Sequence, residues 1–289
     1  MDYCFAMPFA SSFDRSFTKP LKNSMELQQL LSVTRRAIDT YTLINEGDHI
    51  AVGVSAGKDS LSLLIALNAL RRFYPKHFKL SAITVDLGLG NLSLGPVRAL
   101  CEELKVPYYV VDTQIGDILF DIRKESNPCS LCAKLRKGAL NEQAIKIGAN
   151  KIAYAHHRDD LIETMMMSLI YEGRFNTFSP LTYLDNTKLY VIRPFIFAEE
   201  KEIAAFARNN GLPVCKNPCP IDGYTKRQYV KELIRDICKD NPGADKRMLR
   251  AILDGNIKGW PEAIKNPRYV TVRSPLLGES IFLSLPTGT

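Results

Sequence analysis

Three short segments of this 289-residue chain carry residue types that do chemistry. The first is Ser55-Ala56-Gly57-Lys58-Asp59-Ser60, between an apolar, β-branched run and a helical pattern. Small residues let the backbone approach a phosphate closely, and a helix start offers free N–H groups and a positive dipole end. Only Val54, Ser55 and Ala56 separate Gly53 from Gly57, so this is not the Walker A loop, which has four residues between its glycines. As bare local structure it would be a tight turn capped by Asp59 or Ser60. The second segment is Cys129-Ser130-Leu131-Cys132, running into Ala133-Lys134-Leu135-Arg136-Lys137-Gly138. Two thiols at this spacing fit one metal ion, two corners of an iron–sulfur cluster, or a redox dithiol. The third is His156-His157-Arg158-Asp159-Asp160. Its carboxylates suit a magnesium ion, the orientation of a reacting base, or the cap of the helix that follows.

The elements that must position these segments alternate. Short apolar runs at His49 to Val54, Leu80 to Val85, Tyr108 to Val111, Lys151 to Ala155 and Leu189 to Ile192 read as strands. Helical periods lie near Ser60–Arg72, Val97–Lys105, Ala133–Ile147, Leu161–Tyr171 and Glu199–Asn210, the last stopped by Gly211. Strand–helix alternation with continuously apolar strands predicts an α/β fold, a parallel sheet with helices on both faces. Such sheets bind ligands beyond the carboxyl ends of their strands, near the switch point. After Gly211 the composition changes, and Thr225 to Lys239 reads as an amphipathic helix. Its Arg227, Lys231, Arg235 and Lys239 form a stripe that is either a solvated face or an RNA backbone track. The division expected is an N-terminal extension over 1–24, a nucleotide-binding domain over 25–212 and a basic, helical C-terminal region over 213–289. In the extension, Phe5, Phe9, Phe13 and Phe17 recur every four residues, but Pro8 opposes a helix.

Apolar residues make up 46% of the chain and charged residues 24%, which fits a globular protein and excludes a disordered one. The longest apolar stretches, such as Leu61 to Leu67, fall far short of the ~20 residues of a membrane helix. The net charge of +7 is concentrated: thirteen basic against seven acidic residues from Lys216 to Arg273, and five against one from Arg123 to Lys137. Two concentrated basic blocks, one of them surrounding the paired cysteines, point to a phosphate-rich polymer as partner. Seven cysteines, an odd number, with a close pair and no secretory signal, suit a reducing cytosol rather than a disulfide framework. Cys101 and Cys238 fall on apolar helix faces and read as packing residues. Cys129, Cys132, Cys215 and Cys219 do not, and a distant third soft ligand from the last two would favour a metal or cluster over a dithiol.

Ser55–Ser60 resembles the pyrophosphate loop, SGGKDS, of the ATP pyrophosphatase superfamily, with Ala56 in place of a glycine. Together with Pro128 to Gly138, Ala155 to Phe175 and Ile192-Arg193-Pro194-Phe195, it resembles the tRNA 2-thiocytidine synthetase family, from about Met25 to about Lys239. The resemblance implies an adenine nucleotide alpha-hydrolase-like fold and cleavage of ATP between the α- and β-phosphates. Val54, Ser55, Gly57, Lys58, Asp59 and Ser60 would hold the nucleotide with Val85 and Ala155, the adenine lying near Val85 and Asp86. Lys58 and Asp59 would act at the phosphates; Arg136 and Asp160 (or Asp159) would contact the activated base or nucleotide. Cys129, Cys132 and Cys219 would hold a 4Fe-4S cluster by three irons, with Cys215 the rival third ligand.

The implied reaction is replacement of the C2 oxygen of an anticodon-loop cytidine by sulfur. Adenylation turns that oxygen into a departing AMP. The expected cofactors are ATP, Mg2+ and the cluster. The expected partners are tRNA, a desulfurase-derived sulfide or persulfide donor, and a second copy of the chain, in the cytoplasm. Two alternatives stay open: the same chemistry on a uridine, and a non-catalytic, zinc-stapled RNA-binding protein.

Overall fold

The computed structural model describes residues 24–90, 93–119, 128–215, 219, 226–255, 257–263, 269–273 and 280–284. The phenylalanines at 5, 9, 13 and 17 therefore lie outside the described residues. A six-stranded sheet forms the centre, built from β1 (His49–Gly53), β2 (Lys79–Asp86), β3 (Tyr108–Asp112), β4 (Lys151–Ala153), β5 (Leu181–Leu184) and β6 (Leu189–Ile192). Its order is β3-β2-β1-β4-β6-β5. All neighbouring pairs are parallel except β5 with β6, where Tyr183 faces Tyr190 in an antiparallel hairpin. The expected parallel sheet thus carries one antiparallel edge. The order reverses between β1 and β4, whose ends lie side by side with Val52 opposite Ala153. Both chemistry-bearing turns leave the sheet there, at the switch point.

Helices α1 (Ser24–Thr40), α2 (Lys58–Leu70), α3 (Gly95–Glu103), α6 (Arg158–Glu172) and α7 (Glu200–Asn209) supply the larger core cluster. The other face is covered by α5 (Pro128–Lys146), whose Leu140 and Ala144 pack on Ala51, Ile83 and Ile152. A three-residue turn, α4 (Ile115–Asp117), follows β3. Helices on both faces explain why the central strands are apolar throughout: Ile50, Ala51 and Val52 are all fully buried.

Two helix starts differ from the periodicity in a way that matters. The helix after the first loop begins at Lys58, not Ser60, with Gly57 at the N-cap and no side-chain cap. Asp59 and Ser60 are therefore inside its first turn. The helical period near Ala133–Ile147 in fact begins at Pro128, a position that tolerates a missing N–H, so Cys129 and Cys132 lie inside the helix, one turn apart on one face.

Beyond α7, α8 (Lys226–Asp240) and α9 (Ala244–Asp254) pack on α6. The C-terminal region is not wholly helical, since β7 (Tyr269–Arg273) and β8 (Ser280–Ser284) pair antiparallel. Buried Arg158 pairs with Glu199 and Asp245, both at 2.7 Å, and so ties the start of α6 to the starts of α7 and α9.

Candidate functional site

The loop between β1 and α2 is held from several sides. Val54 donates its N–H to Ile83 at 2.8 Å and accepts from Thr84 Oγ1 at 2.8 Å, the latter hydroxyl being in turn bonded by Tyr108. Ser55 N–H donates to Ser60 Oγ at 3.1 Å, and Ser60 Oγ donates to the Gly57 carbonyl at 3.0 Å. Ala56 takes a left-handed conformation, φ +58°, and its carbonyl accepts from the Cys215 N–H at 2.9 Å. A glycine is cheapest there, so the sequence's departure from SGGKDS falls where it strains the backbone.

The loop opens on a cavity of about 330 Å³ at the carboxyl ends of the strands. Val54, Ser55, Asp59, Ser60, Val85 and Ala155 line it, with Arg136 and Lys137 from α5 and His156 and Asp160 from the turn after β4. Nearly all the residues expected around the nucleotide are thus gathered on one space. Gly53 belongs to its floor, where a Cβ would meet the Leu140 side chain at 3.2 Å. Gly57 and Lys58 are not among the lining residues, and the Lys58 ammonium is drawn aside to Asp59 and Glu200. The structure also separates the adjacent aspartates. Asp160 faces the cavity and closes a capping box with His157, while Asp159 accepts the Glu200 N–H at 2.8 Å. The α6 cap is therefore His157, not either aspartate.

His156 packs between Tyr154 and Phe178, with ring centroids 5.6 and 4.9 Å away, and its Nδ1 is buried with no partner. Burial and the charges of Arg193, Arg227 and Lys137 press its pKa down to about 3, so the ring is a neutral polar group on the cavity wall. Arg193 lies over the Phe178 ring at 5.0 Å, and burial lowers its own pKa to about 10.

The cysteines divide as well. Cys101 is fully buried, its thiol pushed up to about 11 by burial, as a packing residue should be. Cys238 is only partly buried and lines a second cavity between α6 and α8. Cys215 donates to the Ser93 carbonyl at 3.2 Å. Cys132 is the centre of a different group. Burial raises its pKa, the charge of Arg136 one turn on opposes that, and the neighbouring thiols of Cys219 and Cys129 raise it further. Of the two candidate third thiols, Cys219 rather than Cys215 is the one whose charge bears on Cys132. Among the described residues no three His, Cys, Asp or Glu side chains are already drawn together as a metal-holding group.

Comparison with known proteins decides the family. A family model described as a PP-loop domain matches residues 23–237. A tRNA-cytidine(32) 2-sulfurtransferase of Geobacter sulfurreducens is 35% identical over 251 residues, 86% of this chain and 94% of that protein. One of Geobacter metallireducens is 39% identical over 220 residues, 75% of this chain and 86% of its own. The chain belongs to this PP-loop sulfurtransferase family. Among solved structures, the U34-tRNA thiolase NcsA of Methanococcus maripaludis with its 4Fe-4S cluster is similar at a TM-score of 0.64 and 26% identity, covering 79% of each chain.

In this PP-loop sulfurtransferase, two residues of the α8 stripe have partners that the sequence pattern did not reveal. Arg227 donates to Asp160 at 3.4 Å, to Glu163 at 3.2 Å and to Thr164 at 3.1 Å. Lys231 donates to Glu200 at 2.6 Å. The basic stripe is thus in part neither a solvated face nor a free phosphate track, because two of its four cations turn inward to acids on α6 and α7. Those acids come from elements 30 or more residues away, which no helical periodicity within α8 reveals. No helix of the described residues is long and apolar enough to cross a membrane.

Proposed function

We propose that this chain is an ATP-dependent tRNA sulfurtransferase that replaces the C2 oxygen of cytidine 32 in the anticodon loop with sulfur. One observation carries the reading. A single cavity at the sheet's switch point is lined by the PP loop and by Arg136, one helical turn from Cys132 and its neighbouring thiols.

The pyrimidine C2 carbonyl is a poor electrophile, so its oxygen first attacks the α-phosphate of ATP and pyrophosphate leaves. Sulfur then adds at C2, and AMP departs with the original oxygen. The free N–H groups at the start of α2, with Ser55 and Ser60, bind the phosphates. Lys58, released from its carboxylates, stabilises the charge that develops as the α-phosphate is attacked. Arg136 and Asp160 orient the base. Neutral His156 offers a hydrogen-bonding nitrogen without placing another positive charge beside Arg136. Asp160 and Asp59 are the carboxylates available to a phosphate-bound Mg2+. Cys129, Cys132 and Cys219 would hold a 4Fe-4S cluster, whose fourth iron, lacking a thiolate, can present sulfide.

The tRNA supplies the cytidine from an unpaired loop, where extrusion of a base is inexpensive. A sulfide or persulfide donor, a homodimeric state and a cytoplasmic site of action complete the reading. The test is mass spectrometry of tRNA nucleosides from a strain lacking the gene, complemented with wild type or Lys58→Ala. Loss of 2-thiocytidine restored only by wild type is expected. Lost 2-thiouridine with 2-thiocytidine intact would transfer the activity to the other pyrimidine.

A further inference from the structure

Lys58 sits between two carboxylates, 2.8 Å from Asp59 Oδ1 and 3.2 Å from Glu200 Oε1. The other Glu200 oxygen accepts from Lys231 Nζ at 2.6 Å, and the Glu200 N–H donates to Asp159 Oδ2. Glu200 is thereby fixed at the first position of α7, with its carboxylate shared by a lysine of the PP loop and a lysine of α8. All three charged groups are about two-thirds or more buried, so solvent screens them only in part. Burial alone would push the Glu200 carboxyl up. The hydrogen bonds and charges of Lys231 and Lys58 overcome that and hold it down to about 2, so it remains an anion.

One carboxylate divided between two ammonium groups cannot bind both at full strength. The firmer its bond to Lys231, the weaker its claim on Lys58. ATP phosphates must take Lys58 away from Glu200, so that claim enters directly into nucleotide affinity. We propose that Glu200 is a positioning residue for Lys58, an anionic latch that holds the loop lysine aside until phosphate arrives and whose grip is set by Lys231 of α8. The proposal rests on the reading of Lys58 as a phosphate-binding group. It makes the helix that begins seven residues after Cys219 an electrostatic neighbour of the nucleotide loop. A pair that merely anchors α8 to α7 would have no such consequence for ATP.

The test is calorimetric titration of ATP into the full-length, cluster-loaded protein without tRNA, with thermal denaturation alongside. Glu200→Gln should tighten ATP binding about three- to tenfold, and Lys231→Met, which leaves Glu200 to Lys58 alone, should weaken it by a similar factor. Lys231→Arg should behave as wild type, and the Glu200→Gln/Lys231→Met double variant should match Glu200→Gln. Shifts of the two single variants in the same direction, or falls in Tm with no change in ATP affinity, would overturn the latch.

A Lys58→Met background separates the layers. There the Glu200→Gln change should lose its effect; persistent tightening would mean simple repulsion of phosphate by Glu200 and would overturn the proposal. Lys58→Met that left ATP affinity intact would overturn the reading of the loop, and the latch with it. Weakened binding by Lys58→Met with no effect of Glu200→Gln would overturn the latch alone.

Discussion

Arg227 of α8 bridges Asp160 and Glu163 of α6 with a single guanidinium nitrogen, at 3.4 and 3.2 Å. The Glu163 carboxylate is only 6% exposed. Burial and the charge of Asp160 raise its pKa, while Arg227 and Lys231 pull it down. Helix α8 is therefore seated on α6, beside the cavity-lining Asp160, by compensation of a buried acid.

Removing that compensation should cost more at high pH. In Arg227→Met, Glu163 keeps its burial and loses its main cation, and the expected destabilisation is about 1–3 kcal/mol at pH 8. With its pKa raised further, Glu163 binds more proton in the folded than in the unfolded state across the interval between the ordinary and the raised value. Stability is greatest below the ordinary carboxylate pKa and declines as pH rises through the raised one. Urea denaturation at pH 5 and pH 8 reads this directly. An equal loss at both would mean that Arg227 does not serve Glu163.

His156 gives the opposite pH signature. Its folded pKa of about 3 lies below the ordinary histidine value of 6.5, so the unfolded chain takes up a proton that the folded protein refuses between those limits. Stability from this group is complete above pH 6.5 and is lost as pH falls towards 3. At about 1.4 kcal/mol per unit, acidification from pH 6.5 to 4 should cost about 3 kcal/mol here. His156→Phe, which keeps an aromatic ring between Tyr154 and Phe178, should shrink that loss clearly. An unchanged pH profile would assign the acid sensitivity elsewhere.

The thiols should sort by neighbourhood rather than by sequence distance. Cys132→Ser and Cys219→Ser are expected to lose most iron and labile sulfide after anaerobic preparation. Cys215→Ser, whose thiol is engaged with the Ser93 carbonyl, should retain them. Colourless wild-type protein carrying stoichiometric zinc would favour a structural metal instead.

What could be read from the chain beforehand follows from how local each signal is. Buried parallel strands read as unbroken apolar runs, so β1, β2, β3, β4 and β6 were legible within a residue or two. Strand β5 was not, because Leu181-Thr182-Tyr183-Leu184 belongs to an edge hairpin with mixed exposure. Helix α1 carried an audible signal, the i, i+3, i+4 recurrence of Leu27, Leu30, Leu31, Thr34 and Ile38, that the motif-led reading passed over. The loop, the paired cysteines and the His156–Asp160 turn were legible as chemistry. The resemblance alone puts Cys219 ahead of Cys215 in the sequence, whereas the structure adds the effect of its charge on Cys132. Glu200 and Lys231 could not be found that way. Each is an ordinary charged residue on an amphipathic helix, and only the tertiary meeting of α2, α7 and α8 gives the pair its place beside Lys58.

Ala56 offers a test of the loop that needs neither tRNA nor the cluster. Its left-handed backbone costs an L-residue about 1–2 kcal/mol, yet its methyl is fully buried. Ala56→Gly would relieve that strain but give up about 0.8 kcal/mol of methyl burial and about 0.5–1 kcal/mol of chain entropy. The terms oppose one another, so stability should change by less than about 1 kcal/mol and ATP binding should persist. Ala56→Val combines a β-branched residue at positive φ with added volume in a closed site. It should lose about 2–4 kcal/mol and at least tenfold in ATP affinity, because the Ala56 carbonyl that receives the Cys215 N–H would be displaced with it. Thermal denaturation and ATP titration of the two variants measure both effects. A valine variant with wild-type stability and affinity would show that the loop does not require this backbone conformation.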